Sequence, residues 1–289
     1  MSDRTRFAPS PTGPLHLGHA YSALVAAGRA AQAGGEMLLR IEDLDRGRAR
    51  PEWEEAIHAD LAWLGLRYPR PVMRQSERGP AYDAALAALW ARGLIYPCRC
   101  RRRDIAAAAS APQEGAPVTG PDGIVYPGTC RRAPEGPMPA DGALRLDMRK
   151  ALQDSWSISF LETGSGPAGE TGVIRVAPEL LIDGIGDVAL RRPGMAAAYH
   201  LAVVVDDAAQ GITEVVRGQD LFEATPIHVV LQRLLGLPTP RYHHHRLIRD
   251  EAGRRLAKRD DARTLATYRD AGWTPADIRR LLGLAAETA

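Results

Sequence analysis

Lysine is almost missing from this 289-residue sequence. Only Lys150 and Lys258 are lysines among 37 basic side chains, which leaves 37 − 2 = 35 arginines. Because arginine occupies nearly every other basic position, a lysine within a functional motif indicates that a compact, flexible point charge is needed there. Lys258 lies in the sequence RRLAKR near the end of the chain and is the candidate for such a position, whereas Lys150 has no assigned role.

Cysteines and long apolar runs are also scarce, and both absences narrow the class of protein. Three cysteines, two of them in a C-R-C sequence, are a poor basis for a disulfide framework and favour a reducing compartment. The N-terminal residues include no apolar segment before a cleavage site, so we expect no signal peptide. No stretch approaches the roughly 18 apolar residues of a membrane helix. The expectation is a cytoplasmic protein without membrane contact.

The overall charge is close to neutral. A formal net charge of +2 excludes a uniformly basic surface, so any RNA partner would need a local patch of positive charge. The 45% of apolar and 25% of charged residues are typical of a globular chain.

Strand and helix patterns alternate in the first half of the chain, which predicts a parallel sheet covered by helices. We expect strands over residues 4–8, 37–41, 144–148, 156–161, 199–207 and 212–217. Helices are expected over residues 17–33, 51–64, 80–92, 221–235, 262–271 and 274–282. Pro226 either bends the helix over 221–235 or marks a later start of it, and Thr274 caps the helix over 274–282. The tract 243–245 (HHH) resembles a metal-binding sequence, but in a predicted strand its side chains alternate between faces, so we assign it a structural role.

Residues 106–142 are rich in alanine, proline and glycine and show little periodicity, which indicates a loop-rich insertion. The predicted organisation is an α/β nucleotide-binding domain formed by residues 1–95 and 176–248. Residues 96–175 form the insertion, and residues 249–289 form a loop and a short helical segment.

The sequence H-L-G-H at residues 16–19 follows a proline- and glycine-rich turn and opens a predicted helix. A helix N-terminus favours phosphate, and His16 and His19, three residues apart, can reach the same anion. Gly18 lacks a Cβ and permits a close approach to the backbone. Two histidines that only cap or pack the helix are the alternative.

This motif, with residues 8–13 (APSPTG) before it, resembles the first signature of class I aminoacyl-tRNA synthetases of the glutamyl and glutaminyl branch. Further segments are similar to this branch in the same order: residues 40–45 (RIEDLD), 199–207 (YHLAVVVDD), 211–220 (GITEVVRGQD) and 247–258, which carries the second signature. In that second signature the first lysine is replaced by arginine and the serine by alanine. The resemblance implies a Rossmann-like catalytic domain that uses ATP with Mg²⁺, in which His16, Gly18, His19 and Lys258 bind ATP.

The length of the chain is similar to that of a truncated group of this branch, the glutamyl-Q tRNA(Asp) synthetases, because it ends about 30 residues after Lys258 without an anticodon-binding domain. That resemblance implies glutamate activation without tRNA, and glutamate transfer to queuosine in the anticodon loop of tRNA(Asp). No protein partner is indicated. The alternatives are a minimal glutamyl-tRNA synthetase that charges a tRNA 3′ end, and a catalytically weak RNA-binding regulator.

The same resemblance implies the residues of the glutamate pocket. Arg6 would bind the side-chain carboxylate and Glu42 the ammonium group. Tyr199 and Arg217 would lie near the α-carboxylate, while Ala8 and Ser10 would bring backbone and hydroxyl groups close. Guanidinium groups suit carboxylates because they offer paired N–H donors.

Cys98, Cys100 and Cys130 are the one candidate metal cluster, because thiolates favour zinc. Spacing alone supplies three sulfurs and no neighbouring histidine, which leaves unliganded thiols and a metal site equally open. The resemblance to the glutamyl-Q enzymes implies one structural zinc ion per chain, with Tyr126 as an unusual fourth ligand. Six arginines flank the cysteines and would form either a phosphate-binding patch or a solvated face. They are Arg99, Arg101, Arg102, Arg103, Arg131 and Arg132.

Replacement of Lys258 tests its assigned role. We expect Lys258→Ala to slow ATP–pyrophosphate exchange with glutamate by about 100-fold or more, as for other positioned transition-state charges. Lys258→Arg should also be impaired, because a planar fork does not replace a point charge. Lys150→Arg is the matched control and should exchange at the wild-type rate. Full activity of Lys258→Arg would contradict the argument from lysine scarcity.

Overall fold

The computed structural model describes residues 2–109, 118–153, 157–249 and 263–284. Lys258 and most of its loop lie outside the described residues. The strands, in chain order, are β1 (Arg4–Phe7), β2 (Glu36–Ile41), β3 (Met73–Arg74), β4 (Ile95–Cys98), β5 (Thr119–Gly120), β6 (Gly123–Ile124), β7 (Ala143–Leu146), β8 (Ile158–Glu162), β9 (Gly172–Val176), β10 (Ala189–Arg191), β11 (Glu214–Gly218) and β12 (Arg241–His245). The α-helices are α1 (Leu17–Gln32), α2 (Pro51–Trp63), α3 (Gly79–Ala91), α4 (Arg102–Ala109), α5 (Met148–Ala151), α6 (Tyr199–Ala209), α7 (Thr225–Leu234), α8 (Leu265–Asp270) and α9 (Pro275–Leu281).

Parallel strand pairs form the centre of the molecule, as the alternation of strands and helices predicts. Strands β1, β2 and β3 pair in parallel, and so do β11, β12 and β8, with β9 antiparallel at the edge. The backbone N–H of Thr213, just before β11, donates to the Arg4 carbonyl at 2.9 Å. Strand β1 therefore lies beside β11, and the two groups of strands adjoin.

Two large clusters of buried side chains lie around these strands. One packs α1 and α2 against β1 and β2, and the C-terminal helices join it through Leu265, Ile278 and Leu282. The other packs α3, α6 and α7 against β8 and the strands of the insertion. Complete burial of one leucine or isoleucine side chain contributes about 1.5–3 kcal/mol, so these clusters supply the main driving force for folding. Within the described residues, no helix is long and apolar enough to cross a membrane.

The segment 199–207, which we expect to be a strand, is instead helix α6. Its run of valines has the composition of a strand, but it is buried between α3, α7 and β10. A helix buried on most sides has no polar face, so the 3.6-residue periodicity that would identify it is missing. This part of the sequence-based prediction is wrong.

Strand β8 also departs from the predicted organisation. It falls inside the expected insertion of residues 96–175, yet Glu162 pairs with Tyr242 of β12 in the central parallel sheet. The boundary at residue 175 therefore does not coincide with the edge of the sheet. The cause is non-local, because a strand pairing across about 80 residues leaves no mark in the local sequence pattern.

Most other helix ends agree closely with the predicted ones. Helix α7 begins at Thr225 with a proline in its first turn, which is the later start that Pro226 indicates. Thr274 caps α9, where its side chain accepts a hydrogen bond from the backbone N–H of Asp277 and that aspartate bonds back.

Candidate active site and cysteine cluster

A cavity of about 600 Å³ lies where the chain leaves β1, β11 and β12. Ligands of open α/β sheets bind in this place, beyond the carboxyl ends of parallel strands. Every described candidate for amino-acid or ATP binding lines the cavity: Arg6, Ala8, Ser10, His16, Gly18, His19, Glu42, Tyr199 and Arg217. The fold thus brings together residues that are up to about 200 positions apart in the chain.

A buried cluster of charges adjoins this cavity through Arg6 and Glu42. The carboxylate of Asp207, on α6, accepts hydrogen bonds from Nε of Arg6 at 2.9 Å and from Nη1 of Arg40 at 2.7 Å. Arg40 is fully buried and also bonds Glu42 through Nη2 at 3.2 Å. Buried charges are tolerated when they are paired and hydrogen-bonded, so Asp207 holds both arginines in place.

The protonation tendencies follow from this arrangement. Burial opposes ionisation of Asp207, but Arg6 and Arg40 outweigh it and lower its pKa. At Glu42 burial is the larger effect and raises the pKa, although Arg40 and Arg6 oppose the rise. With Arg217, the cluster contains three cations against two carboxylates, which leaves one positive charge (3 − 2) for an anionic ligand.

Arg6 keeps much of its donor capacity for a ligand. A guanidinium group has five N–H donors. In Arg6, Nε bonds Asp207 and Nη1 bonds the Val216 carbonyl at 3.2 Å, so three of the five donors have no acceptor among the described residues. A planar group fixed at one end with free donors at the other is suited to a carboxylate.

His16 and His19 form one unit at the start of α1. His16 is the N-cap, and its Nδ1 accepts a hydrogen bond from the backbone N–H of Gly18 at 3.1 Å. Nδ1 of His19 accepts one from the backbone N–H of His16 at 3.2 Å, and the ring centroids are 3.8 Å apart. Because both Nδ1 atoms are acceptors, each neutral ring carries its proton on Nε2. His16 thus caps the N-terminus of α1 itself. The side-chain hydrogen-bond donors of this motif are the Nε2–H groups of the two imidazole rings.

Gly18 has a definite steric reason to be glycine. A Cβ at this position would lie 3.0 Å from Cε1 and 3.1 Å from Nδ1 of the His16 ring. The glycine therefore leaves room for the His16 ring to cap the helix. This contact explains the glycine more directly than the approach of a ligand does.

The cysteine cluster lies apart from this cavity, in the insertion. The Sγ atoms of Cys98, Cys100 and Cys130 lie within 4.8 Å of one another, and those of Cys100 and Cys130 are 3.5 Å apart. The Tyr126 hydroxyl lies 3.5 Å from Sγ of Cys98 and 3.4 Å from Sγ of Cys100. Four ligands around one zinc ion at about 2.3 Å are roughly 3.7 Å from each other, so the four side chains fit a tetrahedral site.

One arginine of the predicted patch has another role. Nε of Arg131 donates to the buried carboxylate of Asp187 at 2.8 Å, where the Tyr96 hydroxyl and the backbone N–H of Met148 also bond. Arg131 therefore connects the region of the cysteine cluster to a buried carboxylate, while Arg131 itself stays exposed. The remaining flanking arginines are exposed: Arg99, Arg101, Arg102, Arg103 and Arg132.

Several residues of the site were not among the candidates predicted from the sequence. Asp207 and Arg40 hold the charge cluster, and His245 of the histidine tract lines the cavity. Two adjacent acids directly after an apolar run were an available signal, because acids buried in this way require cations. His243 bonds Thr163, and His244 bonds Glu162, so these two residues of the tract have structural contacts, whereas His245 lies at the site.

Comparison with known proteins agrees with this site. The sequence model of the family described as tRNA synthetases class I (E and Q), catalytic domain, matches residues 3–119 and 171–288. A glutamate tRNA ligase from Elizabethkingia meningosepticum, solved in complex with its amino acid, superposes with a TM-score of 0.73 at 27% identity. The superposition covers 95% of this chain and 59% of that one, so this chain is similar to part of a longer protein.

Shorter relatives match over nearly their whole length. A protein of Rhodobacter capsulatus named glutamyl-Q tRNA(Asp) synthetase is 60% identical over 97% of this chain and 99% of its own length. One of the same name from Symbiobacterium thermophilum is 44% identical over 94% of this chain and 83% of its own. The chain therefore belongs to the glutamyl-Q tRNA(Asp) synthetase family of class I aminoacyl-tRNA synthetases.

Proposed function

We propose that this protein activates glutamate with ATP, without tRNA, and transfers it to queuosine in the anticodon loop of tRNA(Asp). The names of the relatives at 60% and 44% identity support the acceptor. The main support for glutamate activation is the cavity, where Arg6, Glu42 and Arg217 lie in the same lining as the two histidines of the first signature.

The charge of the cavity supports glutamate as the amino acid. The side-chain carboxylate of glutamate binds the free donors of Arg6, and its ammonium group binds Glu42. The α-carboxylate lies near Tyr199 and Arg217. Glutamate brings a net charge of −1, which matches the surplus positive charge of the buried cluster. Ala8 and Ser10 line the same cavity with a backbone group and a hydroxyl group.

Activation needs no covalent bond to the protein. The glutamate α-carboxylate attacks the α-phosphorus of ATP, the bond to the bridging oxygen breaks, and pyrophosphate leaves with that electron pair. The Nε2–H groups of His16 and His19 donate to phosphate oxygens as charge builds up there. Mg²⁺ accompanies ATP and neutralises phosphate charge.

Lys258 is assigned to the β- and γ-phosphates. Both described ends of its loop support this role, because Leu247 and Ile248 line the cavity and the backbone N–H of Leu265 donates to the Leu15 carbonyl, next to His16. In the second step a hydroxyl of the queuosine ring attacks the glutamyl carbonyl of the mixed anhydride, and AMP leaves.

Replacement of Arg6 tests the amino-acid site. The wild-type protein should exchange pyrophosphate with glutamate in the absence of tRNA. We expect Arg6→Lys to raise the KM for glutamate at least about tenfold, because the paired donors are lost, while the KM for ATP changes less than about twofold. Arg67→Lys, at an exposed arginine, is the matched control. Equal effects of Arg6→Lys on both KM values would contradict the assignment.

We propose that Cys98, Cys100, Tyr126 and Cys130 hold one structural zinc ion. In the described part of the insertion, the apolar cluster around Tyr96 and Tyr126 is small, so a metal would add to the stability of this region. Three thiolates and a phenol oxygen form a closed set of four ligands, which is typical of structural sites and leaves no position for substrate.

Elemental analysis tests the zinc site. Protein purified without added metal should contain one zinc ion per chain, and Cys98→Ser or Cys130→Ser should lose it while most of the α/β core stays folded. Tyr126→Phe should bind zinc more weakly, whereas Tyr68→Phe, outside the insertion, should bind it normally. Native protein that contains no metal and whose three thiols all react freely would exclude the site.

Transfer assays test the acceptor. Labelled glutamate should be transferred to tRNA(Asp) that carries queuosine, and not to tRNA(Glu) or to tRNA(Asp) with guanosine at that position. Nuclease digestion should place the label in the anticodon loop. Label on the 3′-terminal adenosine would identify a minimal glutamyl-tRNA synthetase, and absence of pyrophosphate exchange would identify a catalytically weak regulator.

A further inference from the structure

The guanidinium group of Arg217 is held by more partners than a substrate-binding arginine requires. Its Nε donates to Nε2 of His244 at 3.0 Å, and its Nη1 to Nδ1 of His228 at 3.0 Å. Its Nη2 donates to the Leu221 carbonyl at 3.1 Å and to the Thr225 hydroxyl at 2.7 Å. Among the residues that the structure describes, four of the five N–H groups have acceptors within the protein, and one is left for a ligand.

A chain of histidines leads away from Arg217 towards the surface. Arginine only donates, so Nδ1 of His228 must be an acceptor and its proton must lie on Nε2. That proton is donated to Nδ1 of His200 at 3.0 Å, which places the proton of His200 on its own Nε2. Nε2 of His200 in turn lies 2.9 Å from the carboxylate of Asp122.

This arrangement determines the tautomer and the neutral charge of both rings. Each ring accepts at Nδ1 and donates at Nε2, so every hydrogen bond from Arg217 to Asp122 has one donor and one acceptor. Burial and the positive charge of Arg217 hold the pKa of His228 well below its usual range, in agreement with a neutral ring. A proton cannot be relayed along this chain into the site, because the guanidinium group at its end has no acceptor.

A second, shorter arm ends within the sheet. His244 accepts from Arg217 at Nε2, so Nδ1 carries its proton, 2.5 Å from the buried carboxylate of Glu162. Both residues lie on paired strands, β8 and β12, and are fixed by backbone bonds. The first arm differs, because Asp122 is exposed and lies in the turn between β5 and β6, four residues before Tyr126.

We infer that Asp122, His200 and His228 are positioning residues that orient Arg217 for the substrate carboxylate, and that they link the cysteine-bearing insertion to the amino-acid site. The inference rests on the proposed function of Arg217 in glutamate binding. Without the Asp122 acceptor, His200 can move its proton to Nδ1. His228 then has to do the same, which directs an N–H at the Arg217 guanidinium group and breaks the contact that orients it.

Substitutions at the exposed end of the arm test the inference in the full-length protein. We expect Asp122→Ala to raise the KM for glutamate by about tenfold in tRNA-independent pyrophosphate exchange, which is the scale of one lost buried hydrogen bond, with the KM for ATP within about twofold of wild type. Asp122→Asn keeps an acceptor oxygen and should restore most of the loss. Asp104→Ala removes another exposed aspartate of the insertion and should have no effect.

A second pair of variants tests the middle of the arm. His228→Asn retains an oxygen near the position of Nδ1 and should bind glutamate better than His228→Phe, which offers Arg217 no acceptor. Nitrogen-15 spectra of the imidazole rings in the wild-type protein should show protonated Nε2 for His200 and His228 and protonated Nδ1 for His244. The opposite tautomers or charged rings would overturn the inference, whatever the activity.

The outcomes separate this inference from the proposed function. If wild-type protein exchanges glutamate but Asp122→Ala has unchanged KM values, the positioning role is wrong and the proposed function stands. An increase in both KM values, or a loss of zinc from Asp122→Ala, would show a general structural effect and would also overturn it. If wild-type protein does not exchange pyrophosphate with glutamate at all, the proposed function itself is wrong.

Discussion

The buried carboxylate of Asp207 is the interaction on which the site depends. It lies on α6 and binds Arg6 of β1 and Arg40 of β2 at 2.9 and 2.7 Å, so it joins a helix to two neighbouring strands. Removing one member of such a cluster leaves an uncompensated buried charge, which typically costs about 3–5 kcal/mol. The same contacts orient the free donors of Arg6 and the carboxylate of Glu42 toward one cavity. Stability and recognition of a charged amino acid therefore depend on the same pairs.

The site is built from rigid elements whose side chains are held at their far ends. Arg6 is fixed by Asp207, Arg217 by two histidines, and the rings of His16 and His19 by backbone N–H groups. All four side chains line the cavity. Preorganised donors of this kind need little rearrangement when charge develops on a bound ligand, and this is the main source of electrostatic catalysis.

Much of the secondary structure was predictable because it is marked locally. Glycines and prolines bound α1, α2 and α3, and Thr274 with Pro275 marks the start of α9. The three cysteines were proposed from residue type and spacing, and Tyr126 and the cavity residues from motif resemblance. The structure brings the members of each set together at separate places. The failures have a common cause. Helix α6 has no polar face, and β8 joins the sheet through a long-range pairing, and neither feature is visible in a local pattern.

The sequence alone determined the chemical inventory: two histidines at a helix start, a scarce lysine near the C-terminal end, three thiols, and arginines and acids in a recognisable order. Only the tertiary structure decided which of these groups pair with each other and which remain for a ligand. The distinction has a physical reason, because the charge and tautomer of a buried group depend on its neighbours in space. Arg6 and Arg217 are the same residue type, and each lies near the carboxyl end of a strand. In the described part of the chain, Asp207 and the Val216 carbonyl occupy two N–H donors of Arg6, which leaves three. Two histidines, a hydroxyl and a carbonyl occupy four of Arg217, which leaves one.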